Sequence, residues 1–214
     1  MIDHSLLNPS VTDDDVKKGC REALQYGFAA VVVNPSHVPL VTQELKHSTV
    51  KVCSVISFPF GLSTTASKTY EARTALEQGA DEIDIVMNFS ALKSGHSEFV
   101  LSDIKGVVQE ARRTQRKVVK VILENCYLTE NEKREACQLA VQAGADFVKT
   151  STGFGKSGAT IEDVRLMREV VGPKFGVKAA GGIRTLEQVL QMIEAGANRI
   201  GASASVSIIE SLKS

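Results

Sequence analysis

Short apolar runs alternate along the chain with longer stretches in which apolar residues recur at helical spacing. The runs fall at residues 2–7, 28–33, 50–56, 82–87, 118–123, 147–150, 176–179 and 199–201. Most are rich in valine and isoleucine and end in loop residues, which predicts eight strands. Residues 13–26, 65–78, 98–113, 130–143, 161–171 and 186–195 carry the 3.6-residue period and predict helices. Strand and helix alternating over short connections predict parallel βαβ units. Eight such units in 214 residues predict a closed (β/α)8 TIM barrel spanning residues 1–214 as one domain. An open doubly wound sheet is the alternative. It ordinarily carries a glycine-rich loop after the first strand, and this chain has none.

A weak internal repeat supports the count. Gln78-Gly79-Ala80-Asp81, Ala143-Gly144-Ala145-Asp146 and Ala195-Gly196-Ala197-Asn198 each close a predicted helix and enter a predicted strand. Glycine just past a helix end takes the left-handed conformation at little steric cost. Tyr26-Gly27-Phe28 does the same after the first helix.

Composition narrows the function classes. Lysine plus arginine number 25 and aspartate plus glutamate number 25, so the balanced surface offers no broad footprint for nucleic acid or an anionic membrane. Any bound anion must be held locally. Cys20, Cys53, Cys126 and Cys137 form no C-x-x-C pair and sit at no zinc-ligand spacing, so no metal site is expected. Scattered thiols, no signal-like N-terminus and no long apolar window predict a cytoplasmic protein.

The active site of such a barrel lies at the carboxyl ends of its strands, whose residues alternate between interior and exterior. Placing Ile83, Ile85, Val119, Val121, Val148 and Val177 outward turns Glu82, Asp84, Lys120, Lys149 and Lys178 inward. Charges inside a barrel are expensive unless paired. A structural ion-pair network is one reading. The other is catalytic: a desolvated lysine beside a second cation loses its proton more easily and can attack a carbonyl to form an imine. Lys178 is placed to depress Lys149 in this way, and Asp84 to move protons.

Three glycine-bearing loops share the same rim. They are Ser151-Thr152-Gly153-Phe154-Gly155-Lys156-Ser157-Gly158, Ala180-Gly181-Gly182-Ile183-Arg184-Thr185 and Gly201-Ala202-Ser203. Loops after strands seven and eight of these barrels often hold phosphate through backbone N–H groups, and the loop after strand six can add N–H groups and a cation. A phosphorylated small molecule is the expected ligand.

At these residues the chain resembles the deoxyribose-phosphate aldolases. The stretches that carry the resemblance are Ile2-Asp3-His4-Ser5-Leu6-Leu7, VKVC at 50–53 with Phe58-Pro59, GADEID at 79–84, ALKSG at 91–95, VKVILE at 119–124, GADFVKTSTGFG at 144–155, GVKAAGGIR at 176–184 and RIGAS at 199–203. They cover nearly the whole chain. The resemblance implies a class I aldolase needing no metal or organic cofactor, which reversibly cleaves 2-deoxy-D-ribose 5-phosphate to D-glyceraldehyde 3-phosphate and acetaldehyde in deoxynucleoside catabolism. It further implies Lys149 as the Schiff-base lysine, Lys178 as its tuning partner, Asp84 as the proton-relay acid, and Lys120 and Asp3 as supporting relay residues. Gly153, Gly155, Gly181, Gly182, Gly201 and Ser203 would form the phosphate cradle, and a homodimer is common among members.

Ser5, Asn8, Ala180, Ala204 and Lys156 depart from residues usual in that family, which bears on phosphate affinity and substrate range. The sequence opens almost at the first strand, where other members carry a preceding helix, so a less covered barrel floor is expected. The rival readings are another phosphate-binding barrel enzyme, such as an isomerase, and a barrel that binds a sugar phosphate without turnover.

Other candidates are bland by comparison. His4, His37, His47 and His96 are dispersed, and His47 is expected in a solvated loop. Cys53 is expected as a small core residue and Cys126 near the rim. The basic run at residues 112–117 ends a predicted helix, where cations suit the dipole, and is expected to be a solvated face.

Overall fold

Each of the eight apolar runs becomes a strand. A computed structural model describes residues 1–113 and 117–212. The strands are β1 (Ile2–Leu6), β2 (Ala30–Val33), β3 (Lys51–Ile56), β4 (Glu82–Val86), β5 (Val118–Ile122), β6 (Phe147–Lys149), β7 (Gly176–Ala180) and β8 (Arg199–Ala202). They pair in sequence order, all parallel, and β8 closes on β1. The helices are α1 (Asp13–Tyr26), α2 (Val38–Glu44), α3 (Thr65–Glu77), α4 (Phe89–Lys93), α5 (Ser97–Arg112), α6 (Glu130–Gln142), α7 (Ile161–Val171), α8 (Leu186–Glu194) and α9 (Ser205–Glu210). The chain is thus a (β/α)8 barrel.

The six expected helices are present within a residue or so of their expected ends. Their starts follow from side-chain caps. Thr12, Thr129 and Thr185 each cap a helix with the side-chain oxygen, and each donates its backbone N–H in return to the side chain of Asp15, Glu132 or Gln188 at the third helical position. Sequence periodicity did not indicate α2, α4 and α9. They run only five to seven residues, too short to display a helical period against base composition.

The repeat has a structural meaning that spacing alone did not give. Gly79, Gly144 and Gly196 have φ of 110°, 82° and 113°, which suits glycine. The following alanine is buried, and the next side chain ties down the preceding strand. Asp81 accepts from Val52 N at 3.2 Å, Asp146 from Val119 N at 2.8 Å and Asn198 from Val177 N at 2.9 Å. The same small device is built three times at the amino ends of the strands.

Strand parity divides the core in two. Val31, Val33, Ile83, Ile85, Val119, Val121, Val148, Val177 and Ala179 face the helices in one large cluster. Fully burying each valine or isoleucine there contributes about 1.5–3 kcal/mol. Inside the barrel, Ala30, Val32, Cys53 and Val55 form a separate apolar group under Leu7 and Phe58. This group lies on β2 and β3, so the charged side chains of the interior belong to the other strands.

The basic run is not a free solvated face over the residues that can be described. Arg112 pairs with Asp146 at 2.8 Å, Arg113 with Glu110 at 3.2 Å and Lys117 with Asp81 at 3.2 Å. Residues 114–116 lie outside the described residues. His47 is exposed, with φ 67°, as its loop position led one to expect.

Candidate active site

Register brings the inward-facing charges together. Asp84 pairs across β4 and β5 with Lys120, and Lys149 pairs across β6 and β7 with Lys178. Lys149 and Lys178 therefore project from neighbouring strands to the same side. Asp84 lies at their meeting point: its Oδ2 accepts from Lys149 Nζ and from Lys178 Nζ, each at 2.8 Å. The two amines can be no further apart than twice that distance. On the other oxygen, Oδ1 accepts from Lys120 Nζ at 2.8 Å and from the Cys53 thiol at 3.2 Å. Four donors fill the acceptor sites of one carboxylate.

The surrounding groups share the remaining charge. Lys120 also meets Glu82 at 2.6 Å, and Lys178 meets Asp3 at 2.5 Å. Arg199 bridges Asp3 at 2.6 Å and Glu82 at 2.9 Å. The cluster thus sets Lys120, Lys149, Lys178 and Arg199 against Asp3, Glu82 and Asp84. Cations exceed carboxylates by one. Lys178 and Lys120 each touch two carboxylates closely, whereas Lys149 has only Asp84 within ion-pair distance.

That asymmetry decides which amine gives up its proton. Burial pulls Lys149 below the 10.5 of a free lysine, Asp84 opposes this in part, and the positive Lys178 pushes further down. Desolvation is thus the largest influence on Lys149, with crowding by Lys178 added to it, where the sequence placed the weight on crowding. Burial acts on Lys178 too, but Asp3 and Asp84 outweigh it and hold this lysine above its ordinary range. Lys120 is raised further, against the effect of burial, chiefly by Asp84. Burial would raise Asp84, yet Lys120, Lys149 and Lys178 together hold it well below the usual carboxylate range. Burial pushes the Cys53 thiol up, so it stays protonated as a donor to Asp84. Cys53 is therefore part of the ionic cluster as well as a small core residue.

Of the three lysines only Lys149 reaches the cavity, a space of about 630 Å³ at the carboxyl end of the barrel. Its walls include Ser5, Asn8, Thr152, Gly153, Phe154, Gly181, Gly182, Arg184, Gly201 and Ser203. Lys178 and Lys120 lie fully buried beneath it. Gly201 is small for a reason: a Cβ there would sit 3.0 Å from both Lys178 Cε and Ala180 Cβ. Gly201→Ala is expected to displace the Lys178 stem and lower kcat by about tenfold or more, since small misplacements in a site are costly. Steady-state kinetics with thermal melts will separate this from a loss of folding.

The loops after β6 and β7 are stitched to each other. Thr150 Oγ1 donates to Ala180 O at 2.9 Å and accepts from Ala180 N at 3.1 Å, and Ala159 N donates to Gly181 O at 3.0 Å. Any Cβ on Gly158 would lie 2.0 Å from Gly181 O. Gly181 and Gly182 both have positive φ, 92° and 77°.

Two expectations need correction. Gly155 does not line the cavity; a Cβ there would meet Cys126 Sγ at 2.7 Å and Glu124 Oε1 at 3.1 Å. Lys156 does not supply the rim with a cation, because its Nζ lies 5.3 Å over the Tyr127 ring. Arg184 is the cation that lines the cavity with Lys149. Sequence reasoning assigned no role to Arg184, Arg199 or Glu124, although the interior parity of Arg199 with Gly201 was available to it. Ser5, Asn8 and Ala180, three departures from the family pattern, do line the cavity. Among the described residues no group of three His, Cys, Asp or Glu is placed to hold a metal ion.

The chain is similar to known proteins over nearly its whole length. Residues 1–208 match the family described as DeoC/LacD family aldolase. A deoxyribose-phosphate aldolase of Thermococcus gammatolerans is 61% identical over 211 residues, covering 98% of this chain and 93% of that protein. A solved structure described as QR15, an aldolase, superposes with TM-score 0.93 at 43% identity, covering 99% of this chain and 93% of that one. The deoxyribose phosphate aldolase of Aeropyrum pernix, described as a unique tetramer, superposes with TM-score 0.93 at 38% identity over 100% of this chain and 89% of that one.

Proposed function

Because the chain belongs to the DeoC/LacD aldolase family, we propose that its barrel interior performs the family's chemistry through an imine on Lys149. The reaction is the reversible cleavage of 2-deoxy-D-ribose 5-phosphate to D-glyceraldehyde 3-phosphate and acetaldehyde. The observation that carries the assignment of Lys149 is that it alone among the clustered lysines combines cavity access, a single carboxylate partner and a depressed pKa.

The steps follow from the charges. Neutral Lys149 attacks the C1 aldehyde and gives a carbinolamine. Lys178, held protonated beneath the cavity, supplies a proton through water to the departing hydroxyl, which leaves as water as the protonated imine forms. Asp84 remains anionic and stabilises that cation where it had stabilised the ammonium. Loss of the C3 hydroxyl proton, through water to the Asp84–Lys178 pair, lets the C2–C3 electrons flow into the imine. Glyceraldehyde 3-phosphate leaves, and an enamine remains. Protonation at C2 and hydrolysis then release acetaldehyde and restore the amine. Lys120 and Asp3 anchor the pair, Lys120 on Asp84 and Asp3 on Lys178.

Gly153, Gly181, Gly182, Gly201 and Ser203, with Arg184 beside them, would receive the phosphate through loop N–H groups, a hydroxyl and one guanidinium. Residues 1–214 act as one barrel domain in this reading. The chain works in the cytoplasm, in keeping with four free cysteines and no helix long and apolar enough to cross a membrane among the described residues. It pairs with a second copy, for which exposed Phe60, Leu62, Tyr70 and Phe99 offer apolar surface.

Borohydride reduction in the presence of acetaldehyde tests the imine. The expected result is a two-carbon mass addition confined to the peptide bearing Lys149. A coupled assay for glyceraldehyde 3-phosphate measures turnover. An unlabelled Lys149 in an active preparation would transfer the assignment to another residue.

A further inference from the structure

Leaving β5, the chain turns sharply at Glu124, with φ 56° and ψ 61°. A non-glycine residue rarely takes this left-handed conformation, and residues held there cluster at functional sites. The side chain is also 2% exposed and forms no ion pair among the described residues. A buried, strained carboxylate with no cation in contact, only the more distant charge of Lys149, needs hydrogen bonds to persist. All but one of those it has come from a single residue. Thr152 N donates to both carboxylate oxygens at 3.3 Å, and the Thr152 hydroxyl donates to Oε2. The remaining one is a long contact from the Cys126 thiol, 3.9 Å from Oε1.

Thr152 passes the constraint on. Its Oγ1 accepts from Phe154 N at 3.0 Å, so Glu124, Thr152 and Phe154 form one chain of hydrogen bonds. Gly155 is bare because the loop comes down against Glu124 and Cys126 there. The far end of the chain is functional surface. Thr152, Gly153 and Phe154 line the cavity beside Lys149, and the Phe154 ring meets Phe58 edge-on at 5.4 Å.

We infer that Glu124 is a positioning residue that latches the Thr152-Gly153-Phe154 stretch into place as the cavity wall beside Lys149, and so sets how tightly the substrate is held over the amine. This rests on the imine reading above. Glu124 touches no reacting atom; it acts through Thr152. An apolar residue could fill the volume but could accept neither Thr152 donor, and an amide would have to take both on one uncharged oxygen, where the carboxylate has two.

The test uses the full chain with Thr152→Val, Glu124→Gln, their double variant and Thr152→Ser. Thr152→Val is expected to raise KM for deoxyribose 5-phosphate about tenfold with kcat changed less than about threefold, since wall placement governs binding more than the imine step. Glu124→Gln should act in the same direction. Both variants lie on one link, so the double variant should be little worse than the poorer single one. Thr152→Ser restores the hydroxyl and should recover most of the loss. Acetaldehyde trapping at Lys149 should persist in all four. Additive KM effects in the double variant would overturn the inference, as would an unmoved KM in Thr152→Val, which decides alone if Glu124→Gln does not fold. Failure of trapping at Lys149 in the unmodified protein would instead strike the imine reading itself.

Discussion

Lys149→Ala is expected to lower turnover of deoxyribose 5-phosphate by about 10⁴-fold or more, because the proposed imine route loses its nucleophile. The protein should nonetheless fold. Lys149 is the one member of the interior cluster with a single carboxylate partner, in a group where cations exceed carboxylates by one. Removing it leaves Lys120, Lys178 and Arg199 matched against Asp3, Glu82 and Asp84. Lys149→Met, which keeps most of the volume, should match or exceed the parent in thermal stability. The sign follows from proton binding. Lys149 has a lower pKa folded than unfolded, so the unfolded chain binds more protons between those two values. Stability of the parent therefore rises with pH through that window. The full penalty applies below the folded value, so the advantage of Met should be greatest toward lower pH. Melts of both proteins from mildly acidic to alkaline pH, with coupled assays, check both halves.

Asp84→Asn is the second large effect, and it should strike stability and activity together. The carboxylate receives Lys120, Lys149, Lys178 and the Cys53 thiol, all buried. An amide of the same shape keeps one acceptor oxygen and presents donors where ammonium groups now donate. Lys120 keeps Glu82 and Lys178 keeps Asp3, but Lys149 loses its carboxylate. Breaking one partner of a buried ionic group typically costs about 3–5 kcal/mol, and a fall in Tm of about 10 °C is expected. Turnover should drop by about 10²-fold or more, as for loss of a positioned acid–base group. The pH dependence again has a definite sign. Asp84 is held well below its unfolded value, so its contribution is complete above about pH 4 and disappears only as pH falls through the depressed folded value. The part of the gap due to Asp84's own ionisation should stay constant through neutral pH and disappear in acid, while the further depression of Lys149 in the variant widens the gap from alkaline toward neutral pH. A gap that closed near pH 6 would contradict the pairing of Asp84 with three buried ammonium groups.

Much of the site could be read before any coordinates. Strand alternation turned Asp84, Lys120, Lys149 and Lys178 inward because a residue two places along a strand returns to the same face. Registers between neighbouring strands then put Lys149 opposite Lys178 and Asp84 opposite Lys120. Arg199 went unassigned although it shares the interior parity of Gly201, since a charge at the start of a strand is as readily solvated as paired. Gly155 and Lys156 were misplaced for a different reason. A loop has no period, so which of its residues face the ligand depends on what lies beneath them. In this barrel Glu124 and Cys126 take one and the Tyr127 ring the other. The role inferred for Glu124 rests on a backbone angle and on one threonine 28 positions later, and neither leaves a local mark in the sequence.

Local order of residue types was enough for the strands, the capped helices, the closed barrel and the set of side chains facing its axis. Each of these follows from periodicity, capping and chain connectivity, which act over a few residues. Only the folded barrel decided which lysine is short of a counter-charge, and which loop residues meet the cavity. Both depend on distances between strands and loops far apart in the chain, and electrostatic energies inside a desolvated core follow those distances rather than sequence separation.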